Sequence, residues 1–184
     1  MAIQERAYRL TGDLLNVDAK GGIASLLAKE GFSLSDLTHV HCSPPCETFS
    51  SAGRVNQFRD PPCNYRVHPS GEPTERVGVH REKAKLHDLL VQHVLQLIQE
   101  AKLEGGQFTY SIENPKGLLR ERPYMDVGSW SSVLQGRRET VDYCAYGAPY
   151  RKTTDLWTDL RGWVPKGNTE DGRCGNVCKQ GGWG

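Results

Sequence analysis

The chain has 184 residues, 37% of them hydrophobic and 24% charged, which is typical of a single globular domain and excludes wholesale disorder. Its 23 basic and 22 acidic residues give a net charge of +1, which excludes a strongly basic coat protein and an acidic tail protein but still allows a basic nucleic-acid-binding face. The sequence shows no signal peptide and no apolar run that could cross a membrane. We therefore expect an intracellular protein, cytoplasmic or nuclear.

The first part of the chain predicts a strand, a helix and a second strand. Residues 7–10 form the first strand, and residues 23–29 have apolar side chains at helical spacing, followed by Gly31 as the helix stop. The second strand, residues 37–42, leads directly into Ser43-Pro44-Pro45-Cys46. Residues 47–79 are rich in Pro, Gly, Ser and Arg without periodicity, which predicts a long functional and mobile loop.

The second part predicts one long helix and three strands. Residues 80–102 carry an apolar stripe at helical spacing: Leu86, Leu89, Leu90, Val94, Leu97, Ile98 and Ala101. Gly105-Gly106 ends this helix, and residues 107–112 form a strand that leads into Glu113. This strand–helix–strand order predicts a βαβ unit in an α/β fold whose sheet is at least partly parallel. Residues 141–146 and 155–158 predict two later strands.

Cys46 is the cysteine that the pattern singles out among six. Cys42 and Cys144 follow alternating apolar residues and are expected to be buried in strands. Cys174 and Cys178 form a C-x3-C pair in the Gly-rich tail, 166–184. They are either two free thiols or half of a zinc site, and we predict no metal site. A second Pro-Pro-Cys ends at Cys63 with no strand before it, so Cys63 is expected in a loop.

Cys46 and Glu113 are predicted to lie at the same edge of the sheet, because each follows a strand of a parallel pair. A thiol there can act as a nucleophile, and a carboxyl group can transfer a proton, particularly if burial raises its pKa. The alternatives are a turn with an incidental cysteine and a solvated carboxylate. Basic residues around both motifs favour contact with nucleic-acid phosphates, with a solvated loop surface as the alternative.

Three segments, in this order, resemble motifs of the C5-cytosine nucleic-acid methyltransferases. Residues 43–50, SPPCETFS, resemble the nucleophile motif, and residues 112–115, IENP, resemble the Glu-Asn-Val motif. Residues 146–154, YGAPYRKTT, are similar to Tyr-Gly-x-Pro-Gln-x-Arg-x-Arg. Within that family, the residues in these motifs are most similar to those of the small phage- and alga-type members. The resemblance implies a Rossmann-like methyltransferase fold with a mostly parallel sheet.

The resemblance also implies a reaction and its residues. Cys46 attacks C6 of a flipped cytosine, Glu113 protonates N3, Asn114 orients the loop that holds Glu113, and Lys152 supplies a positive charge near the base carbonyl. S-adenosylmethionine donates the methyl group, with Asp13, Ser43 and Pro44 as its contacts. DNA is the expected substrate, with RNA as an alternative. The expected nucleic-acid contacts are Arg54, Arg59, Lys116, Arg120 and Arg151.

The sequence departs from the family pattern in two places. Tyr150 and Thr154 stand where the family has Gln and its second Arg, and no Phe-x-Gly-x-Gly cofactor loop precedes Asp13. We therefore expect residues 1–165 to be a partial catalytic domain without the first βα unit: either the chain is a fragment or mis-started product, or a second chain completes its cofactor site. The alternative is a non-catalytic or truncated remnant that binds nucleic acid or a partner chain. A third interpretation takes Pro-Pro-Cys as a variant of the Pro-Pro-Tyr motif of amino-methyltransferases. The Glu113 motif argues against it.

Overall fold

The computed structural model describes residues 22–50, 65–67, 69–75 and 78–166. They form two helices and four strands: α1 (Gly22–Lys29), β1 (His39–Cys42), α2 (Val79–Leu103), β2 (Thr109–Pro115), β3 (Arg137–Asp142) and β4 (Thr153–Thr158). Short 3-10 turns occupy Leu34–Asp36, Leu118–Glu121, Pro123–Met125, Val127–Ser129 and Tyr143–Tyr146. The predicted strand 7–10 lies outside the described residues. None of the described helices is long and apolar enough to cross a membrane.

The sheet has the order β1-β2-β4-β3 and is mixed. β1 and β2 are parallel, which confirms the predicted βαβ unit and the α/β class, because α2 makes the crossover between them. The expectation of a mostly parallel sheet is wrong for the described strands, since β2–β4 and β3–β4 pair antiparallel. The physical reason is the connection between β3 and β4, which is too short to hold a crossover helix.

The carboxyl ends of β2 and β3 differ from the sequence prediction. β2 continues to Pro115, so Glu113 lies within the strand rather than after it. β3 ends at Asp142, and residues 143–146 form a 3-10 turn that Gly147 closes with a φ of 91°. Cys144 is therefore in a turn and half-buried, not in a strand. Antiparallel pairing with β4 extends β2, because Glu113, Asn114 and Pro115 all have partners in β4.

Helix α2 packs its apolar face against the sheet. The predicted stripe is confirmed at Val94, Leu97, Ile98 and Ala101, which are buried with Tyr110, Ile112 and Trp157 of the sheet. Leu86 and Leu89, also assigned to the stripe, are 42% and 58% exposed. Near its N-terminus the helix instead buries Ala84, His87, Asp88 and Val91.

Candidate active site

Cys46 lies on a tight turn just beyond the carboxyl end of β1. Its side chain is exposed, and its carbonyl oxygen accepts hydrogen bonds from the backbone amides of Phe49 (3.0 Å) and Ser50 (2.9 Å). Pro44, two residues earlier, is buried. The turn therefore holds a solvent-accessible thiol on a fixed backbone. By contrast, burial raises the pKa of the Cys42 thiol on β1 to about 11, which leaves Cys42 unsuited to act as a thiolate.

Glu113 is buried and its carboxylate accepts three hydrogen bonds. Oε2 accepts one from the Ser43 hydroxyl at 2.7 Å, and Oε1 accepts two, from the Tyr143 hydroxyl and from Lys152 Nζ, both at 3.0 Å. Burial acts to raise the pKa of Glu113, as the sequence suggested, but the donors from Ser43, Lys152 and Tyr143 outweigh it and lower the pKa. Glu113 is therefore ionised in this state.

Lys152 forms an ion pair with Glu113. Burial acts to lower the pKa of Lys152, but the hydrogen bond to Glu113 and the negative charges available to Glu113, Tyr143 and Cys46 raise it. Its Nζ also lies 4.9 Å from the centre of the Tyr143 ring, a cation–π distance. The structure thus pairs Lys152 with Glu113 and, through the bonds of Ser43 and Pro44 to β2, places the turn of Cys46 at the same end of the sheet.

Asn114 has a different position from the one that the sequence predicted. Glu113 lies in β2 and needs no loop to orient it. Instead, Asn114 Nδ2 donates to the Pro44 carbonyl oxygen at 3.0 Å. Asn114 therefore holds the loop that carries Cys46.

Two of the three predicted cofactor contacts, Ser43 and Pro44, lie among the described residues, and each bonds within the chain. The Ser43 hydroxyl donates to Glu113, and the Pro44 carbonyl accepts from Asn114. Asp13 lies outside the described residues. Across the described ranges, no three His, Cys, Asp or Glu side chains are grouped as metal ligands, and Cys174 and Cys178 fall outside those ranges.

The predicted nucleic-acid contacts separate into two groups. Lys116 and Arg151 are exposed, with the Arg151 Nε 3.3 Å from Asp142 Oδ2. Arg120 does not fit the predicted role, because its guanidinium makes a bidentate contact with the buried Asp155 carboxylate and also donates to Thr140. Its charge is therefore neutralised within the chain. Arg54 and Arg59 lie outside the described residues.

Arg66 anchors both described ends of the long loop to α2. Its side chain is fully buried, with its guanidinium carbon 3.9 Å from the centre of the Phe49 ring. It donates five hydrogen bonds, which go to Thr48 O, Thr48 Oγ1, Gly71 O, Ala84 O and Asp88 Oδ2. Within the predicted loop, Thr48, Arg66 and Gly71 are thus bonded to one another and, through Arg66, to α2. Mobility stays a prediction for residues 51–64, which lie outside the described residues.

Tyr143 is a site residue that the sequence analysis missed. Its backbone amide donates to the Lys152 carbonyl oxygen at 3.1 Å, and its hydroxyl reaches Glu113. The antiparallel order of β2, β4 and β3 places these residues together. The sequence did contain a signal for this contact. Two successive strands with a short connection form an antiparallel hairpin, which brings the end of β3 beside the start of β4.

Comparison with known proteins agrees with the motifs. Over 140 residues the chain is 32% identical to a protein of Frog virus 3 (isolate Goorha) named "Probable DNA (cytosine-5)-methyltransferase". The chain belongs to the family of the cytosine-5 DNA methyltransferases. The match covers 75% of this chain and 53% of that relative, so the chain spans about half of the relative's length. No family model matches the chain, and no solved structure matches it.

Proposed function

We propose that the chain is a DNA cytosine-C5 methyltransferase that uses S-adenosylmethionine, with Cys46 as its nucleophile. The observation that carries the proposal is the arrangement at the carboxyl ends of β1 and β2, where the turn after β1 carries an exposed Cys46 thiol and β2 carries Glu113 in an ion pair with Lys152. The family relationship supports it, because the viral relative is named as a DNA methyltransferase. The subtype, a small phage- or alga-type member, is part of the proposal.

The three side chains have distinct parts in the proposed reaction. The Cys46 thiolate forms a bond to C6 of cytosine, and an electron pair moves from the C5–C6 double bond into the ring toward N3. Glu113 donates a proton to N3, which neutralises the charge that attack creates. Lys152 places a positive charge beside the same atoms. Once C5 carries the methyl group that S-adenosylmethionine would supply, loss of the C5 proton and elimination of the Cys46 sulfur restore the C5–C6 double bond, and N3 returns its proton to Glu113.

Glu113 must gain a proton before it can serve as the acid. In the structure three donors keep it ionised. A flipped cytosine would displace water from the site, and a drier surrounding disfavours a charged carboxylate. Docking of the base is therefore expected to promote uptake of the proton that N3 receives.

The methyl donor is assigned from the family alone. When bound, S-adenosylmethionine supplies the methyl group for C5. The described residues do not form a complete site for it, because the polar groups of Ser43 and Pro44 are engaged within the chain.

Methyl transfer to DNA tests the proposal directly. The chain is incubated with cytosine-containing DNA and S-adenosylmethionine, and 5-methylcytosine is measured by mass spectrometry, with single-stranded RNA as the second substrate. We expect product with DNA, none with Cys46→Ser, and retained product with Cys63→Ser, which alters the other Pro-Pro-Cys. Absence of product from both substrates, or product from Cys46→Ser, would contradict the proposal. Product from RNA and none from DNA would show that the substrate is RNA rather than the proposed DNA.

A further inference from the structure

The two carboxylate oxygens of Glu113 have unequal surroundings. Oε1 accepts from both Tyr143 and Lys152, which uses both of its lone pairs. Within the described residues Oε2 accepts from Ser43 alone, so it retains one lone pair. An incoming base therefore finds only one oxygen of Glu113 with capacity for a further proton or hydrogen bond.

Tyr143 is built into the backbone so that its hydroxyl has a fixed position. The residue begins the 3-10 turn after β3, and its carbonyl oxygen accepts from the Ala148 amide at 3.2 Å. Its amide donates to the carbonyl oxygen of Lys152 at 3.1 Å. The two donors to Oε1 are thus joined by a hydrogen bond between their main chains.

We propose that Tyr143 is a positioning residue that, with Lys152, occupies Oε1 of Glu113 and so directs Oε2 toward the flipped cytosine. The proton that reaches N3 is then carried on Oε2, and Ser43 is the group that yields its place to the base. This inference rests on the proposed function and deepens it. It assigns a side chain outside the three motifs to control of the acid.

The chemistry of the surrounding groups supports this role. Burial is the main cause that raises the pKa of Tyr143, and Glu113 adds to it, so the hydroxyl keeps its proton and remains a donor. Among the described residues, Lys152 is the charged side chain that acts on Glu113 and helps to lower its pKa.

Tyr143→Phe removes the hydroxyl and keeps the ring. Carbon-13 NMR of the labelled chain follows the titration of the Glu113 carboxyl, whose signal is assigned by its loss in Glu113→Gln. Because the variant loses a donor to the ionised form, we expect the pKa of Glu113 to rise by about one unit. Tyr146→Phe is the matched control, since its hydroxyl accepts from the Lys166 amide instead. That control should leave the Glu113 titration unchanged.

Kinetics separate positioning from simple loss of a hydrogen bond. Ser43→Ala also removes one donor from Glu113, so it too should raise the pKa, but it leaves Oε1 occupied. We expect Tyr143→Phe to lower kcat by about tenfold with little change in KM for DNA, and Ser43→Ala to lower it less.

Two results would overturn the inference: an unchanged Glu113 pKa in Tyr143→Phe, or an equal loss of kcat in the two variants. If the unaltered chain forms no 5-methylcytosine, the proposed function fails. The NMR titration then still decides whether Tyr143 holds Glu113.

Discussion

The side-chain amide of Asn114 donates a hydrogen bond of 3.0 Å to the backbone carbonyl of Pro44. Asn114 follows Glu113 in β2, and Pro44 lies two residues before Cys46; both partners are buried. This bond joins the strand that carries the acid to the turn that carries the thiol. Residues far apart in the sequence are thereby held at a fixed separation.

Loss of this bond should weaken both folding and the site. Asn114→Ala leaves a buried carbonyl without its donor, so we expect the free energy of unfolding to fall by about 1–3 kcal/mol. Asn114→Asp should cost more, because it faces the same carbonyl with an acceptor. Urea denaturation measures both variants. A change below about 0.5 kcal/mol in both would show that the bond contributes little.

Arg66 should be a main stabilising residue of the loop that follows Cys46. Arg66→Met removes five hydrogen bonds and leaves Asp88 with less compensation, so we expect a loss of about 3–5 kcal/mol. The control is Lys83→Met, which removes a pair with Glu47 whose side chains are 37% and 52% exposed. That change should cost less than about 1 kcal/mol. Equal losses would contradict the anchoring role.

Arg120 and Lys116 should differ in what their removal changes. Arg120→Ala leaves the buried Asp155 carboxylate without its positively charged partner, so it should lower the free energy of unfolding by about 2–4 kcal/mol. Lys116→Ala should leave stability nearly unchanged but lower the slope of log affinity for DNA against log salt by about one. Fluorescence anisotropy at several salt concentrations gives the slopes. A reduced slope for a folded Arg120→Ala, with none for Lys116→Ala, would reverse the assignment.

The lowered pKa of Glu113 predicts a pH-dependent contribution to stability. Its folded pKa is below the ordinary value of 4.5, so ionisation stabilises the fold above about pH 4.5. That contribution is lost as pH falls through the folded pKa. Glu113→Gln should therefore be less stable than the unaltered chain at pH 7, with the difference shrinking below about pH 4.5. Thermal denaturation across this range measures it, and a difference independent of pH would contradict the cause given.

The sequence predicted the elements better than the pairing between them. The α2 helix and the strand before Cys46 could be predicted, because apolar spacing and Gly stops act over a few residues. The end of β2 could not, because Glu113 stays in the strand through its pairing with β4. The parallel fraction of the sheet was overestimated for the same reason.

The roles of charged residues were the hardest to predict. In the sequence Arg66 and Arg120 look like the other basic residues near the motifs. Their partners, Asp88 and Asp155, lie 22 and 35 positions away, and only the fold brings them together. A basic residue can be assigned to a phosphate contact only once its internal partners are known.

Covalent trapping on DNA that contains 5-fluorocytosine tests whether Cys46 is the nucleophile, because fluorine at C5 cannot leave as a proton does. With S-adenosylmethionine present, we expect a protein–DNA adduct that resists denaturation and maps by peptide mass spectrometry to Cys46. The adduct should be absent in Cys46→Ser and present in Cys63→Ser. An adduct that persists in Cys46→Ser and disappears in Cys63→Ser would show that the nucleophile is Cys63 and contradict the account.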